Sequence, residues 1–343
     1  MVNNTALLVL LQPVTTISVP PKSAFTGKTA IVTGANTGLG LETARYLLKN
    51  GSKHVIIACR NISKGQSARD NLLITPGVPR DADIEVWQLD MASFASTRAF
   101  AAKANALENL DYLFLNAGVA THEYNHTADG WETMLQVNGL STALLGLLIL
   151  PKLIATSRRK KERNPADPPR LVITTSGLHN TVPFKEKSAP NALHALNSKE
   201  SWDNRSDAFA PYSVTKLLNV YTMRELADLV PIGADGQPEV VVTTVCPGLC
   251  KSELQREGMQ FPMNLVKSLF AWKPSYGARS IIAAGRGGAE MHRGYIANGV
   301  LKSAGGVAVG PESGKWQRKV WGEMVTELKA VAPEVEKTLK TEF

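Results

Sequence analysis

Short apolar segments alternate with helix-like segments along this chain, from residue 28 to about residue 298. The apolar segments are KTAIVT (28–33), KHVIIACR (53–60), DIEVWQLD (83–90), LDYLFLNAG (110–118), RLVITTSG (170–177), EVVVTTVCPG (239–248) and GYIAN (294–298). Nearly continuous apolar runs are typical of strands that are buried on both faces of a sheet. Their alternation with helices predicts an α/β fold with right-handed crossovers. We therefore predict one doubly wound domain with about seven parallel strands and helices on both faces of the sheet.

The same alternation leaves no internal domain boundary between residues 26 and 343. Residues 1–25 precede the first strand, and we interpret them as an extension that docks on the domain. Its apolar run, 6–11, is too short to span a bilayer and lacks a preceding positive segment. An apolar stretch at about 249–275 is predicted to be a substrate lid, and the charged tail 312–343 is predicted to be helical.

Composition and charge restrict the class of protein. The chain has 343 residues, of which 44% are hydrophobic and 20% are charged, as in ordinary globular proteins. The leucine-rich helix 129–157 is interrupted by Gly139, Gly146 and Pro151, so we interpret it as core or subunit contact and predict no transmembrane segment. The net charge is +8, but the basic run 157–163 lies where that helix ends and no nucleic-acid-binding motif accompanies it. We therefore predict no nucleic-acid partner, and homo-oligomerisation is left open.

The cysteines and histidines predict neither a disulfide scaffold nor a metal site. Cys59, Cys246 and Cys250 form neither an even set nor a CxxC pair, and the six histidines show no metal-ligand spacing. This cysteine usage favours a reducing compartment, so we predict a cytoplasmic protein and leave peripheral membrane association open. Among the histidines, His179 is the one that we consider for lining a substrate site.

A glycine-rich turn, TGANTGLG at 33–40, joins the first strand to the amphipathic helix LETARYLLKNG at 41–51. Glycines in such a turn let the backbone approach a pyrophosphate, whose charge meets the helix N-terminus. This is the context of a Rossmann-type dinucleotide site. Arg60 ends the second strand, and no carboxylate occurs between Gly51 and Arg69. Because a guanidinium suits a ribose 2′-phosphate, the pattern favours NADP(H) over NAD(H).

Tyr212 and Lys216 lie four residues apart at the start of the helical run YSVTKLLNVYTMRELADL, 212–229. Side chains four apart share one face of a helix, and a nearby cation favours the phenolate form. We therefore expect Lys216 to lower the pKa of Tyr212. Ser176 follows the fifth strand, at the sheet edge where parallel sheets bind ligands. Asn138 lies among apolar residues within a helix and needs a hydrogen-bond partner.

Five motifs in order carry a family resemblance: TGxxxGxG at 33–40, NAG at 116–118, Ser176, YxxxK at 212–216 and PG at 247–248. With these motifs the chain resembles the short-chain dehydrogenase/reductase superfamily over residues 26–300. The stretches ACRN (58–61), YSVTKLLNVYTMRELA (212–227) and CPGLCKSEL (246–254) look like its retinol-dehydrogenase-like, NADP-dependent branch. Within that branch the chain looks most like a fungal-type carbonyl reductase of natural-product pathways. One departure is Leu115, where many members have an asparagine.

The resemblance implies site residues by position. The catalytic tetrad would be Asn138, Ser176, Tyr212 and Lys216. The residues that would hold the cofactor are Thr33, Gly34, Asn36, Thr37, Gly38, Leu39, Gly40, Arg60, Asp90, Met91, Asn116, Ala117, Gly118, Tyr212, Lys216, Pro247, Gly248 and Ser252.

The function implied is NADP(H)-dependent interconversion of a ketone or aldehyde with an alcohol. The apolar lid and the long spacing from Ser176 to Tyr212 favour a bulky, largely apolar substrate. Two alternatives use the same fold without net redox chemistry: an NADP(H)-binding sensor or scaffold, and an isomerase or cyclase. Consumption of NADPH with a panel of carbonyl compounds distinguishes the enzyme from both.

Overall fold

A single eight-stranded sheet forms the centre of the protein in the computed structural model, which describes residues 12, 15–18, 21, 23–161, 167–251, 254, 271–341 and 343. The strands are β1 (Thr29–Thr33), β2 (His54–Cys59), β3 (Asp83–Gln88), β4 (Tyr112–Leu115), β5 (Arg170–Thr174), β6 (Val241–Cys246), β7 (Gly294–Ala297) and β8 (Val300–Lys302). Their order across the sheet is β3-β2-β1-β4-β5-β6-β7-β8. The order reverses between β1 and β4, which is where doubly wound folds bind dinucleotides.

The first seven strands are parallel, as predicted, and β8 is an additional antiparallel strand. It pairs with β7 through the two-residue turn Asn298–Gly299, in which both residues have positive φ, 54° and 77°. Asn-Gly is the residue pair that such a hairpin turn favours. The prediction of about seven strands omitted β8 because it is only three residues long and exposed.

The helices are α1 (Gly38–Lys49), α2 (Ile62–Leu73), α3 (Phe94–Asn105), α4 (Ser141–Lys161), α5 (Ala192–Leu196), α6 (Lys199–Asp203), α7 (Ala210–Asp228), α8 (Pro274–Arg286), α9 (Ser313–Val331) and α10 (Val335–Leu339). Their starts have local causes. The side chains of Asn61 and Ser93 accept hydrogen bonds from the first turns of α2 and α3, from Lys64 N and Ser96 N. Pro211 lies in the first turn of α7, where its missing N–H costs nothing.

The core has two layers, one on each face of the sheet. Successive strand residues point to opposite faces, so Ile31 packs in one layer and Val32 in the other. The first layer contains α3, α4 and α7, and the second contains α1, α2 and α8. The carboxyl ends of the parallel strands form one edge of the sheet, between the two layers of helices.

The leucine-rich helix belongs to the core. In the described part of the chain it is the one helix, Leu135–Lys160, long and apolar enough to cross a membrane, but 83% of its apolar window is buried inside the protein. The last helix, α10, packs against it, and Thr338 Oγ1 donates to Leu147 O at 3.0 Å. Burial inside the protein explains the apolar composition of this helix.

Candidate active site

At two positions between β1 and the first turn of α1 there is no room for a side chain, so that only glycine fits. Gly34 has φ of +66°, and a Cβ added there would lie 2.9 Å from Ala117 Cα. A Cβ on Gly40 would press on the Gly34 carbonyl oxygen and lie 2.7 Å from Asn116 Nδ2. Both glycines therefore bring the turn after β1 into contact with the turn after β4. This close packing requires the glycine spacing seen in the sequence.

The N-terminus of α1 is open to a ligand. A Cβ on Gly38 would meet nothing within 4 Å, and Thr37, the N-cap, makes no side-chain capping hydrogen bond. The first turn of α1 contains no acidic residue. Free N–H groups and the positive end of the helix dipole suit a pyrophosphate. These residues, with the half-buried Asn36 beside them, fit the dinucleotide that the sequence predicts.

Thr33 joins the cofactor turn to the Asn116–Ala117–Gly118 turn. Its Oγ1 accepts hydrogen bonds from the backbone N–H groups of Asn116 and Ala117, both at 2.9 Å. Asn116 Nδ2 returns a hydrogen bond to Thr33 O at 3.0 Å. Two turns far apart in sequence are thereby held at one end of the sheet.

The residues predicted to contact the adenosine end lie after β2 and β3. Arg60 is exposed, and its guanidinium makes no hydrogen bond or ion pair with the described residues. Asp90 is half-buried, and its Oδ1 accepts from Ala92 N at 3.0 Å, while Met91 is buried. Because β2 and β3 are neighbours in a parallel sheet, these residues share one edge of the sheet.

Lys216 is held against the end of β5 by two hydrogen bonds. Its Nζ donates to Thr174 O at 3.1 Å, and its backbone carbonyl accepts from Thr175 Oγ1 at 2.7 Å. The side chain is buried, and Nζ lies 5.5 Å from the centre of the Tyr212 ring. The helical spacing therefore places the ammonium beside the phenol ring, as predicted.

Asn138 has the partners that its burial requires. It lies in a π-helical turn, Leu135–Leu140, and is 0% exposed. Its Nδ2 donates to Val119 O at 2.8 Å and to Thr215 Oγ1 at 3.1 Å, and its Oδ1 accepts from Val119 N at 2.9 Å. A Cβ on Gly118 would lie 3.1 Å from Asn138 Oδ1 and 3.5 Å from Lys216 Nζ. Gly118 thus lets the amide and the ammonium approach the same point.

Ser176 lies directly after β5 and is half-buried. Its Oγ accepts from Leu178 N at 3.3 Å, and Leu178 packs against the cluster of Tyr212, Met134 and Trp202. The residues on either side of Ser176 therefore contact the α7 backbone at Lys216 and the cluster that contains Tyr212. Asn138, Ser176, Tyr212 and Lys216 come together at one end of the sheet.

The electrostatics differ from the sequence prediction at one point. Burial raises the pKa of Tyr212, because desolvation disfavours the phenolate. Burial also lowers the pKa of Lys216 to about 8. The expected lowering of the Tyr212 pKa by Lys216 is therefore not found here. Both groups are desolvated together, and the ammonium donates to Thr174 O, so the phenol stays neutral.

The Pro247–Gly248 turn follows β6. Gly248 has φ of +82°, and a Cβ there would meet the Trp272 ring at 2.8 Å and Gln12 Oε1 at 2.9 Å. Ser252 lies outside the described residues, as do residues 255–270 of the predicted lid.

His179 does not line a substrate site. It is 0% exposed and packs edge-on against Tyr295, with ring centres 4.8 Å apart. Its Nδ1 donates to Ser176 O at 2.6 Å, since a carbonyl can only accept. The sequence alone could not show that His179, three residues after Ser176, points into the core.

Sequence reasoning missed the threonines that hold the site together. Thr175 binds the Lys216 carbonyl, and Thr215 Oγ1 accepts from Asn138 while donating to Tyr212 O at 2.7 Å. Asn219 Nδ2 also donates to Thr174 O, at 3.3 Å. The run of hydroxyls Thr174–Ser176 at a strand end was a signal for Thr175 alone, because Thr215 and Asn219 lie on α7 and their partners are set by tertiary packing.

Comparisons with known proteins bear on the family of the chain. The family model for short chain dehydrogenases matches residues 28–162. A short chain dehydrogenase/reductase of Cryptosporiopsis sp. is 35% identical over 92% of this chain and 94% of its own length. A short-chain dehydrogenase/reductase of Aspergillus flavipes is 34% identical, over 93% and 91% of the two chains.

Solved structures share the fold. An uncharacterized protein from Mycobacterium paratuberculosis superposes with a TM-score of 0.61 at 25% identity, covering 89% of this chain and 94% of that one. An alcohol dehydrogenase from Thermococcus sibiricus, complexed with 5-hydroxy-NADP, gives 0.56 at 17% identity, over 80% and 96% of the two chains. The motifs, the sheet order and the relatives agree, and the chain belongs to the short-chain dehydrogenase/reductase family of oxidoreductases.

Proposed function

We propose that this protein is an NADP(H)-dependent carbonyl reductase or alcohol dehydrogenase for a bulky, largely apolar substrate. The observation that carries the proposal is the position of Lys216 Nζ, which lies beside the Tyr212 ring, approaches Gly118 together with Asn138, and is bonded to Thr174 O, two residues before Ser176. An NADP(H)-binding scaffold has no need of a phenol, an ammonium and a hydroxyl at the same end of the sheet.

The cofactor would be held by groups that the fold leaves available. The open N-terminus of α1 would bind the pyrophosphate, and Arg60, which has no hydrogen bond or ion pair within the described part of the chain, would bind the ribose 2′-phosphate. Asp90 and Met91 would contact the adenine, and Lys216 the nicotinamide ribose. When bound, the nicotinamide supplies the hydride for reduction or accepts it in oxidation.

The protein's own groups would handle the proton. In reduction, the neutral Tyr212 phenol donates a proton to the developing alkoxide, and Ser176 Oγ donates a hydrogen bond to the same oxygen. The raised pKa of Tyr212 keeps this proton in place near neutral pH. Lys216 supplies positive charge beside the phenol, and Asn138 would hold a water that returns a proton to the site.

The surroundings of Tyr212 favour an apolar substrate. Met134 and Trp202 are buried in one cluster with it, and Val119, Leu178 and Leu254 pack against that cluster. Relatives of this chain occur in fungi such as Aspergillus flavipes. We therefore propose a bulky ketone, aldehyde or alcohol of natural-product type as the small-molecule partner. The three unpaired cysteines support a reducing, cytoplasmic location.

Replacing Tyr212 tests the function. Tyr212→Phe should retain NADPH binding but lose several orders of magnitude in kcat, since the proton donor is removed. Tyr221→Phe on the same helix is the matched control, because Tyr221 is fully buried and its hydroxyl donates to Val307 O, at 3.5 Å, away from the cluster of Tyr212. The measurement is NADPH consumption with a panel of apolar carbonyl compounds. Near-normal turnover by Tyr212→Phe would remove Tyr212 from its role, and NADPH binding without turnover by the wild type would favour a sensor or an isomerase.

A further inference from the structure

We propose that Gln12, in the N-terminal extension, is a positioning residue that holds the Pro247–Gly248 turn in the shape that the cofactor requires. The inference rests on the proposed function, which assigns that turn to the nicotinamide end of the site. From the sequence, residues 1–25 are predicted only to be an extension that docks on the domain.

The side chain of Gln12 pairs with both backbone groups of Leu249. Its Nε2 donates to Leu249 O at 2.6 Å, and its Oε1 accepts from Leu249 N at 2.8 Å. An amide side chain thus makes the two hydrogen bonds that a neighbouring strand would make. Gln12 is only 2% exposed, and loss of its amide would remove the acceptor of Leu249 N and one of the two donors to Leu249 O.

The backbone of Gln12 holds the other side of the turn. Trp272 Nε1 donates to Gln12 O at 3.0 Å, and the Trp272 ring lies against Gly248. Leu249 and Trp272 are also joined directly, because Trp272 N donates to Leu249 O at 2.9 Å. Gly248 is therefore enclosed between the Gln12 amide and the Trp272 ring, and one residue contacts every part of this arrangement.

Thr15 and Ile17 are bonded to α8. Tyr276 OH donates to Thr15 O at 2.6 Å and accepts from Ile17 N at 3.1 Å. Ile17 is buried with Trp272, and Leu39 packs against the same cluster. Leu39 lies in the first turn of α1, beside the predicted pyrophosphate site. Ile17 of the segment therefore shares one apolar cluster with Cys250, Trp272 and Leu39.

Purely structural packing would stabilise the protein without affecting the affinity for the cofactor. A positioning role predicts that the affinity for NADPH falls, because Gly248–Leu249 would lose its conformation while the domain is still folded. The separating measurement is the Kd for NADPH, followed by the change in NADPH fluorescence on the full-length protein, together with the thermal midpoint of each variant.

Gln12→Leu keeps the size of the side chain and removes both hydrogen bonds. We expect its Kd for NADPH to be about tenfold higher or more, with a smaller change in kcat at saturating NADPH. Gln317→Leu is the matched control. Gln317 is also buried, at 6% exposure, but it donates to Glu225 and accepts from Arg224, between α7 and α9. It should lower the thermal midpoint and leave the Kd unchanged.

Gln12→Glu supplies a second measurement if Gln12→Leu does not fold. A protonated carboxyl can donate and accept as the amide does, whereas a carboxylate would face Leu249 O with negative charge. Because burial raises the pKa of a carboxyl, NADPH binding by this variant should recover as the pH is lowered toward 5, relative to wild type at the same pH.

Different results would contradict the positioning role of Gln12 and the proposed function. An unchanged Kd in Gln12→Leu, an equal loss of affinity in Gln317→Leu, or a pH-independent Gln12→Glu would each overturn the positioning role. If wild type itself binds neither NADPH nor NADH, the proposed function fails instead.

Discussion

His179 should make this protein lose stability as the pH falls from about 6.5 to about 4. Burial lowers the pKa of His179 to about 4 from an ordinary value of 6.5, so the folded state holds the ring neutral. The unfolded chain takes up a proton in this interval and the folded protein does not. Stability is therefore fully present above pH 6.5 and is lost as the pH falls toward 4.

The magnitude follows from the two pKa values. The difference between 6.5 and about 4 corresponds to about 3 kcal/mol of unfolding free energy, at about 1.4 kcal/mol for each tenfold change. The structural cause is clear: Nδ1 is committed to Ser176 O, and Nε2 is buried with no hydrogen-bond partner among the described residues. The nearby Arg224 guanidinium further disfavours a second positive charge.

His179→Asn is the informative variant, because an asparagine amide can replace the Nδ1–H donor but does not titrate. Urea unfolding of both proteins should be followed by circular dichroism at several pH values between about 4 and 7. The variant loses packing against Tyr295 and should be less stable at neutral pH, but the gap should narrow by about 3 kcal/mol on acidification. Parallel pH profiles would show that His179 is not the group responsible. Contributions from other titrating groups cancel in this difference.

Two further predictions concern activity. Because burial lowers the pKa of Lys216 to about 8, the ammonium is lost as the pH rises through that value, and NADPH-dependent reduction should decline above it. Lys216→Arg keeps its charge and should shift this decline in kcat to higher pH. An unshifted kcat profile would contradict the role of Lys216. Arg60→Ala should raise the Kd for NADPH about tenfold or more while leaving that for NADH nearly unchanged. Arg69→Ala is its control, since Arg69 donates to Ile84 O instead of facing the site, and an unaltered NADPH-to-NADH ratio in Arg60→Ala would refute the 2′-phosphate assignment.

Features that depend on neighbours in sequence could be predicted from the sequence. Ser93 caps a helix because its side chain reaches an N–H three residues on, and Tyr212 and Lys216 share a helix face because they are four apart. The alternation of strands and helices likewise determined the parallel sheet and the edge at which the site lies. Asn298–Gly299 carried a local hairpin signal as well, but the exposed strand after it was too short to recognise.

Contacts and charges that depend on distant segments were decided by the tertiary structure. Asn138 is hydrogen-bonded to Thr215, 77 residues away, and Gln12 to Leu249, 237 residues away, and no local sequence pattern predicts either pair. Burial raises the pKa of Tyr212 where the sequence predicted a lower one, because desolvation is set by every element that surrounds a group. Tertiary packing also places His179 in the core. The residue types of the site were thus determined locally, whereas their protonation and their supporting contacts came from the fold that encloses them.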